Sequence, residues 1–422
     1  MTDVRRLALE ILNKCERAEQ YSNIALDTAL KRNDLPPADR RLLTALVYGV
    51  IERRLTLDHW INALSDRKGA SIEPTVRDLL RMGLYQLAYL DRVPDHAAVN
   101  ETVALAPKRS RGFVNAILRG FLRADKQIPW PSDPIGRLSA EYSVLPSVCY
   151  TFVEAFGMER TEQILAGFAR RAPISLSVNV IRTSREALME QLRAAGIACE
   201  ASRESRRGIR IEGGSVAELP GFDEGLFFVQ DEASQLCVEA LDAQADMSLL
   251  DVCACPGSKS FGAAIEMENR GRVIACDLHR NKLSLVESSA RRLGLSIIAT
   301  EARDGRALRE DWIAAFDRVL CDVPCSGYGV LAKKPEIRYK DPEACATLPD
   351  IQLAILENAC RYVKKGGKLV YSTCTLLPKE NGENVKRFLS KHPEFSLRRE
   401  RTLYPDTDMT DGFYFAVLER EA

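Results

Sequence analysis

As far as about Leu122, apolar positions recur at spacings of three and four. LALEILNKCERAEQYSNIALDTAL, DRRLLTALVYGVIERRLTLDHWINAL and VRDLLRMGLYQLAYL all carry this rhythm, with breaks such as NDLPPADR between them. That period is the signature of amphipathic helices and predicts an all-α bundle. In DKQIPWPSDP two of three prolines flank a tryptophan, which marks a linker; two more helical stretches follow, VCYTFVEAF and TEQILAGFARR. At Pro173 the period changes. ISLSVNVIRT alternates as a strand, REALMEQLRAAG is helical, and RGIRIEG and LFFVQ read as strands. From about Gln230 the chain repeats strand, turn and helix through MSLLDVCACPGSK, GRVIACDLHRNKL, LSIIATEARDG, FDRVLCDVPCSG and GGKLVYSTCT. Such alternation predicts a parallel, doubly wound sheet. The expected fold class is multidomain, α and α/β. Its segments are a helical domain over 1–127, a helical linker region over 128–172, a small α+β module over 173–228 and an α/β domain over 229–422.

Composition narrows the picture only in part. The chain has 422 residues, enough for several domains, and 59 Lys plus Arg balance 59 Asp plus Glu. A nucleic-acid partner must therefore be argued from local patches. The start, MTDVRRLALEIL, lacks the charged, apolar and small-residue regions of a signal peptide. No apolar run approaches the roughly 20 residues of a membrane span. The reading is a cytoplasmic protein with reduced thiols, its 12 cysteines being core filler or chemistry.

The first candidate site is LLDVCACPGSKS, which follows a strand and opens the helix FGAAIEME. Ligands of doubly wound sheets bind beyond the carboxyl ends of the strands. A dinucleotide loop needs G-x-G-x-x-G, and only Gly257 is present. A P-loop aligned on Lys259 and Ser260 would need glycine where Cys253 and Ser258 stand. An acid at the strand end with a single glycine suits a ligand without phosphates to cradle, such as S-adenosylmethionine. The next strand, RVIACDL, ends in Asp277, which can accept both ribose hydroxyls. After the third strand Asp304 is positioned to meet the adenine amino group.

The second candidate site is a pair of thiols. Cys325 follows the fourth strand and Cys374 the fifth, and neighbouring strands bring both turns to one rim with Asp322. For Cys15, Cys149, Cys199, Cys237, Cys276, Cys321, Cys345 and Cys360 the bland reading of a small buried hydrophobe is accepted. Paired C-x-x-C motifs and supporting histidines are lacking, so no metal is expected. Beside a methyl donor, a thiol has one clear use. The C5 carbon of a pyrimidine has no lone pair, but a thiolate adding to C6 makes C5 an enamine carbon able to attack. The C5 proton then leaves and the thiol is expelled, with a second group near C5 to assist. Lys259 is a candidate to stabilise the thiolate, and Asp322 can bond the N3 and amino edge of cytosine. Either cysteine could attack on these grounds.

DVCACPGSK, CDVPCSGYGVLAKKPEIRYK, KKGGKLVYSTCT and MTDGFYFAVLER together resemble the RNA (cytosine-5)-methyltransferases. VPDHAAVNETVALAP and RGFVNAILR, ahead of VQDEASQL, are similar to the bacterial RsmB (Sun/Fmu) branch. The resemblance covers essentially the whole chain. It implies an N-terminal NusB-like bundle that binds RNA, a small RRM-like module and a C-terminal Rossmann-like class I methyltransferase domain. It implies transfer of a methyl group from S-adenosylmethionine to C5 of one cytidine in small-subunit (16S) rRNA, through a covalent cysteine–C6 adduct. By the family pattern Cys374 is the nucleophile and Cys325 assists elimination and release. Cofactor contacts carry over to Cys253, Ala254, Cys255, Pro256, Gly257, Ser258, Lys259, Asp277, Asp304 and Asp322. Two positions depart from the usual C-A-x-P-G-G-K loop: Ser258 replaces the second glycine, and Cys255 fills the variable place. Serine is tolerable there only if its backbone does not need a positive φ.

The target base must be unpaired or flipped out to be reached. Expected RNA contacts are Lys333, Lys334, Arg338 and Lys340 after the Cys325 turn, Arg206, Arg207 and Arg210 in the middle module, and the basic helix from Lys108 and Arg109. The expected partner is small-subunit rRNA, bound by a monomer without a membrane. Two alternatives remain: a tRNA cytosine-5 methyltransferase, and a non-catalytic RNA-binding ribosome assembly factor.

Overall fold

The computed structural model describes residues 3–16, 22–65, 72–170, 173–213 and 215–421. The helical pattern expected across AEQY and the end of TEQILAGFARR falls partly on residues 17–21 and 171, outside the described residues. The chain forms two compact units, Met1–Glu154 with Lys334–Asp341, and Ala155–Lys333 with Pro342–Ala422.

The first unit is helical, with α1 (Val4–Glu16), α2 (Ser22–Arg32), α3 (Pro37–Glu52), α4 (Arg54–Leu64), α5 (Pro74–Tyr89), α6 (Asp95–Leu105), α7 (Arg111–Arg123), α8 (Pro134–Tyr142) and, at its edge, α9 (Pro146–Phe156). Its core gathers the periodic positions, among them Leu43, Leu46, Leu79, Leu80 and Leu118. The stretch expected as one helix from DRRLLTAL to DHWINAL breaks at Arg53, whose φ of −104° and ψ of 17° leave the helical region. On α7, Val114, Ile117, Leu118 and Phe121 are buried, while Arg111, Arg119 and Arg123 stay exposed. Residues 334–341 pack into this unit although they follow the Cys325 turn in sequence. Tyr339 Oη donates to Ile51 O at 2.6 Å, and the buried Arg338 Nη1 donates to Tyr142 O at 2.8 Å.

The second unit opens with α10 (Met158–Ala169) and a small α+β module of β1 (Ile174–Val178), α11 (Arg185–Ala194), β2 (Cys199–Ala201), β3 (Gly208–Ile211) and β4 (Phe227–Val229). Its antiparallel sheet has the order β2-β3-β1-β4. The short strand β2, CEA, has no alternation long enough to be read from sequence.

The remainder comprises α12 (Glu232–Leu241), β5 (Ser248–Asp251), α13 (Ser258–Glu266), β6 (Arg272–Asp277), α14 (Arg280–Leu293), β7 (Ile298–Ala302), β8 (Phe316–Asp322), α15 (Leu348–Ala359), β9 (Val363–Thr373), α16 (Gly382–Lys391), β10 (Phe395–Leu403) and β11 (Phe413–Arg420). The sheet order is β10-β11-β9-β8-β5-β6-β7. Strands β9, β8, β5, β6 and β7 are parallel, as the alternation predicts. Alternate residues serve opposite faces: Leu249, Val273 and Leu320 pack on one side, Leu250, Ile274 and Val319 on the other. The sequence reading missed the antiparallel pair, in which β11 runs between β9 and β10. FSLRRERTL hides its strand character because β10 is an edge strand with its charged positions in water.

Candidate active site

The strand order sets the rim. Cys374 follows β9, Asp322 closes β8 and Cys325 follows it, the Cys253–Lys259 stretch follows β5, Asp277 closes β6 and Asp304 follows β7. Every residue expected in the two catalytic-domain sites therefore lies at or beyond a carboxyl strand end of one sheet.

After β5 the chain turns sharply. Gly257 N donates to Ala254 O at 2.6 Å, and Ala254 N donates to Cys276 O at 2.7 Å. The positive φ falls on Gly257, at 108°, where a Cβ would lie 2.5 Å from the Phe261 ring. Ser258 is the first residue of α13 and is not among the positive-φ residues. Serine thus meets the backbone condition at this place, because the left-handed turn is made one residue earlier. Ser260 Oγ donates to Asp251 Oδ2 at 2.6 Å. Asp251 is fully buried and its Oδ1 has no hydrogen-bond partner among the described residues. Burial pushes this carboxyl up to about 7, against the lowering effect of Ser260.

Asp277 Oδ1 accepts from His279 N at 2.9 Å, and Asp304 forms a two-pronged pair with Arg306. That side-chain bond, with the Arg306 backbone N–H, holds the Asp304 carboxyl below its ordinary value.

Next to the loop, Lys259 Nζ donates to Asp322 Oδ2 at 2.6 Å and sits 5.0 Å from the Phe413 ring centroid. The other oxygen, Asp322 Oδ1, accepts from Ser372 Oγ at 2.8 Å. Burial opposes the charge on Lys259, but Asp322 and nearby sulfurs, including Cys374, hold its pKa above the ordinary value. The Cys325 and Cys374 sulfurs are 3.2 Å apart. Cys325 is raised well above an ordinary thiol, first by its bond with Cys374 and then by burial. Two sulfurs this close share one proton more readily than they ionise together.

Sequence reasoning passed over the groups that hold these turns. Ser372, Glu380, Gln352, Ser326 and Thr375 are all buried and hydrogen-bonded beneath the cysteines. Glu380 lies in KENGENV, a stretch that reads as a solvated helix start. Only the fold brings it under β8.

The basic residues divide. Arg338 is 1% exposed and bonded inside the helical unit, and Arg207 is 4% exposed, donating to Gly262 O at 3.0 Å. Both expectations of surface RNA contact are corrected: these guanidinium groups tie structure together. Arg210 pairs with the buried Glu232, so it too faces inward. Lys333 is bound by Asp231 and by Asp411, the latter at 2.9 Å, which neutralises its charge within the second unit. Lys334, Lys108 and Arg109 are exposed, Arg109 in a surface pair with Glu73, and Arg206 is exposed beside Glu239 and Glu266.

A parallel sheet carrying acids and thiols along its carboxyl rim, with an antiparallel final hairpin, defines a Rossmann-like methyltransferase domain. The chain belongs to the 16S rRNA methyltransferase RsmB/F family, whose profile matches residues 238–419. The NusB family profile matches residues 2–123, and that of the RsmF/B-like ferredoxin-like domain matches residues 150–217. The chain is 39% identical over 444 residues to the probable ribosomal RNA small subunit methyltransferase B of Bacillus subtilis, covering 100% of this chain and 99% of that one. It is 37% identical over 445 residues to the protein of the same name from Synechocystis, covering 100% of both. Among solved structures, PH0851 shares the fold with a TM-score of 0.82 at 24% identity, over 100% of this chain and 99% of that one. NSun6 from Pyrococcus horikoshii, crystallised with SFG, shares it with a TM-score of 0.60 at 22% identity, over 65% of this chain and 98% of that one.

Proposed function

We propose that this protein methylates C5 of one cytidine in small-subunit rRNA, using S-adenosylmethionine, through a transient bond between Cys374 and the base. The observation that carries the reading is the 3.2 Å approach of the Cys325 and Cys374 sulfurs beside the Lys259–Asp322 pair. A rim built only to methylate an exocyclic amine needs no thiol, because such an amine has its own lone pair.

Bound S-adenosylmethionine supplies an electrophilic methyl group on a sulfonium sulfur. The residues of the β5 rim fit such a ligand. The loop turns on a glycine with no room for a Cβ, a buried Asp251 carboxyl has an unspent oxygen, and Asp277 and Asp304 follow on the next strands. The contacts we assign are Cys253 to Lys259, Asp277, Asp304 and Asp322. Asp322, steadied by Ser372 and Lys259, bonds the N3 and amino edge of the flipped cytosine. Cys374 Sγ adds to C6, and the electron pair of the C5–C6 bond makes C5 nucleophilic. C5 accepts the methyl group and then loses its proton. The Cys374–C6 bond breaks as the double bond re-forms, with Cys325 assisting. Lys259 stabilises the Cys374 thiolate before attack and after release.

RNA approach is assigned to the exposed Lys334, Arg206, Lys108 and Arg109; Lys333 is exposed too, but is held by Asp231 and Asp411. The family membership, the relatives' names and the NusB-like bundle support rRNA as substrate. The domain limits proposed are near residues 127, 172 and 228.

The test is methylation of purified small-subunit rRNA by the purified chain, followed by mass spectrometry of the nucleosides. One 5-methylcytidine per rRNA molecule is expected. Methyl groups on tRNA alone would support the tRNA reading. Binding of rRNA without uptake of S-adenosylmethionine in calorimetry would support the assembly factor.

A further inference from the structure

Beneath the two cysteine turns lies a buried polar network that neither family membership nor the proposed chemistry explains. Its centre is Glu380, 2% exposed, whose Oε2 accepts from Ser326 N at 2.9 Å and from Gln352 Nε2 at 2.7 Å. The same Gln352 Nε2 donates to Pro324 O at 3.0 Å, so the residues on both sides of Cys325 are gripped by one side-chain pair. The Glu380 backbone carbonyl accepts from Tyr371 Oη, which anchors it to β9. Ser326 Oγ donates to Thr375 Oγ1 at 2.8 Å, which joins the Cys325 turn to the Cys374 turn. From the other side Gly329 N donates to Cys374 O at 2.9 Å, and Gly412 N donates to Gly329 O at 2.7 Å. No side chain fits at Gly329, where a Cβ would lie 1.8 Å from Gly412 O.

We propose that Glu380 is a positioning residue that clamps the Pro324–Cys325–Ser326 turn and keeps the shared proton on Cys325, leaving Cys374 as the attacking sulfur. The inference rests on the proposed cysteine chemistry and deepens it by deciding which thiol is which. Glu380 and Tyr371 lie on the Cys325 side, and Lys259 with its partner Asp322 lies on the Cys374 side. A buried carboxylate disfavours a thiolate beside it, whereas an ammonium favours one. Both gradients send the proton to Cys325. The Glu380 charge helps hold the Cys325 thiol above its ordinary value, after the bond to Cys374 and burial.

The clamp also orders the later steps. While Cys374 is a thiolate, Cys325 S–H donates to it and stays protonated. Once Cys374 becomes a thioether that acceptor is gone, and Cys325 can release its proton to solvent. The Cys325 thiolate then takes the C5 proton, the C5–C6 double bond re-forms, and the Cys374–C6 bond breaks to give the Cys374 thiolate. Its sulfur finds the Cys325 S–H restored beside it. One proton has left the base and one has reached solvent, so the pair returns to its starting charge.

Differential alkylation of the free protein with iodoacetamide tests this, with peptide mass spectrometry reading each cysteine. At pH 7.5 the wild type should label Cys374 at least about tenfold faster than Cys325, the ratio that one unit of acidity difference produces. Glu380→Gln should narrow that ratio by about tenfold. Ser326→Ala cuts the strap to Thr375 but keeps the carboxylate, and should leave the ratio within about twofold of wild type. In turnover, Glu380→Gln should lower kcat with KM for rRNA unchanged within about twofold, and move the pH–rate profile. Equal labelling of the two cysteines in the wild type would overturn the proposal, and that measurement needs no variant to fold. An unchanged ratio in Glu380→Gln, or equal narrowing in Ser326→Ala, would also overturn it. Labelling needs neither RNA nor cofactor, so a protein that labels as expected but makes no 5-methylcytidine would refute the methylation reading instead.

Discussion

Two pairs of cysteines occupy the same carboxyl rim, and they are chemically unlike. Cys253 and Cys255 lie in the loop after β5, amid the carboxyls of Asp251 and Asp277. Burial first and those carboxyls second hold both thiols high, Cys255 at about 12. Cys325 and Cys374 stand one and two strands away, touching each other at 3.2 Å, with Lys259 on one flank and Glu380 on the other. Residue type and place on the rim are shared. Cys325, like the loop cysteines, has a carboxylate beside it; what separates the pairs is the Lys259 ammonium on the Cys374 side and a second sulfur in contact to hold a proton. A cysteine at a strand end is therefore a candidate only until its neighbours are known.

The contrast can be broken in several ways. The largest expected effect is Cys374→Ala, which should lower methyl transfer to rRNA at least about a thousandfold by radiolabel incorporation. Next is Gly257→Ala. A side chain at φ 108°, 2.5 Å from the Phe261 ring, is strained. It should weaken S-adenosylmethionine binding at least about tenfold in calorimetry, the equivalent of ~1–3 kcal/mol of backbone strain. Ser258→Gly, one residue on, should change it less than about twofold.

A smaller effect concerns pH. Asp251 is raised by burial to about 7 in the folded state, above its unfolded value. Its contribution to stability is present in full below the unfolded value and is lost as pH rises through about 7. Between pH 6 and 8 the wild-type Tm should therefore fall about 2–4 °C more than that of Asp251→Asn in differential scanning calorimetry. A parallel fall in both proteins would show that the loop is not governed by burial of this acid. Smallest of all, Cys253→Ala and Cys255→Ala, which keep the loop backbone through which these two residues are assigned to meet the cofactor, should each keep the methylation rate within about threefold of wild type. A thousandfold loss from either would erase the distinction between the pairs.

Much of this arrangement was legible in the sequence because parallel strands announce themselves. FDRVLCDV and KLVYST are apolar runs that end in turn residues, so Asp322, Cys325 and Cys374 could be set on one rim before any coordinates. The hairpin β10–β11 was not legible, since the charges of FSLRRERTL mask an edge strand. Basic patches misled for a related reason. Arg207 and Arg338 look solvated in one dimension, but carbonyls distant in sequence bind them in three, Gly262 for Arg207 and Tyr142 for Arg338, whereas Lys333 stays exposed while paired with Asp411. Glu380 was invisible for the converse reason. Its partners Ser326 and Gln352 lie in the turn after β8 and on α15, and periodicity carries no trace of them.

The most direct measurement is a denaturing gel of protein incubated with labelled small-subunit rRNA and S-adenosylmethionine. Cys325→Ala should give a slow-migrating protein–RNA band that survives denaturation, while Cys374→Ala and the double variant should give none. A stable band from Cys374→Ala, or methyl transfer by the double variant, would contradict covalent addition of Cys374 to the base.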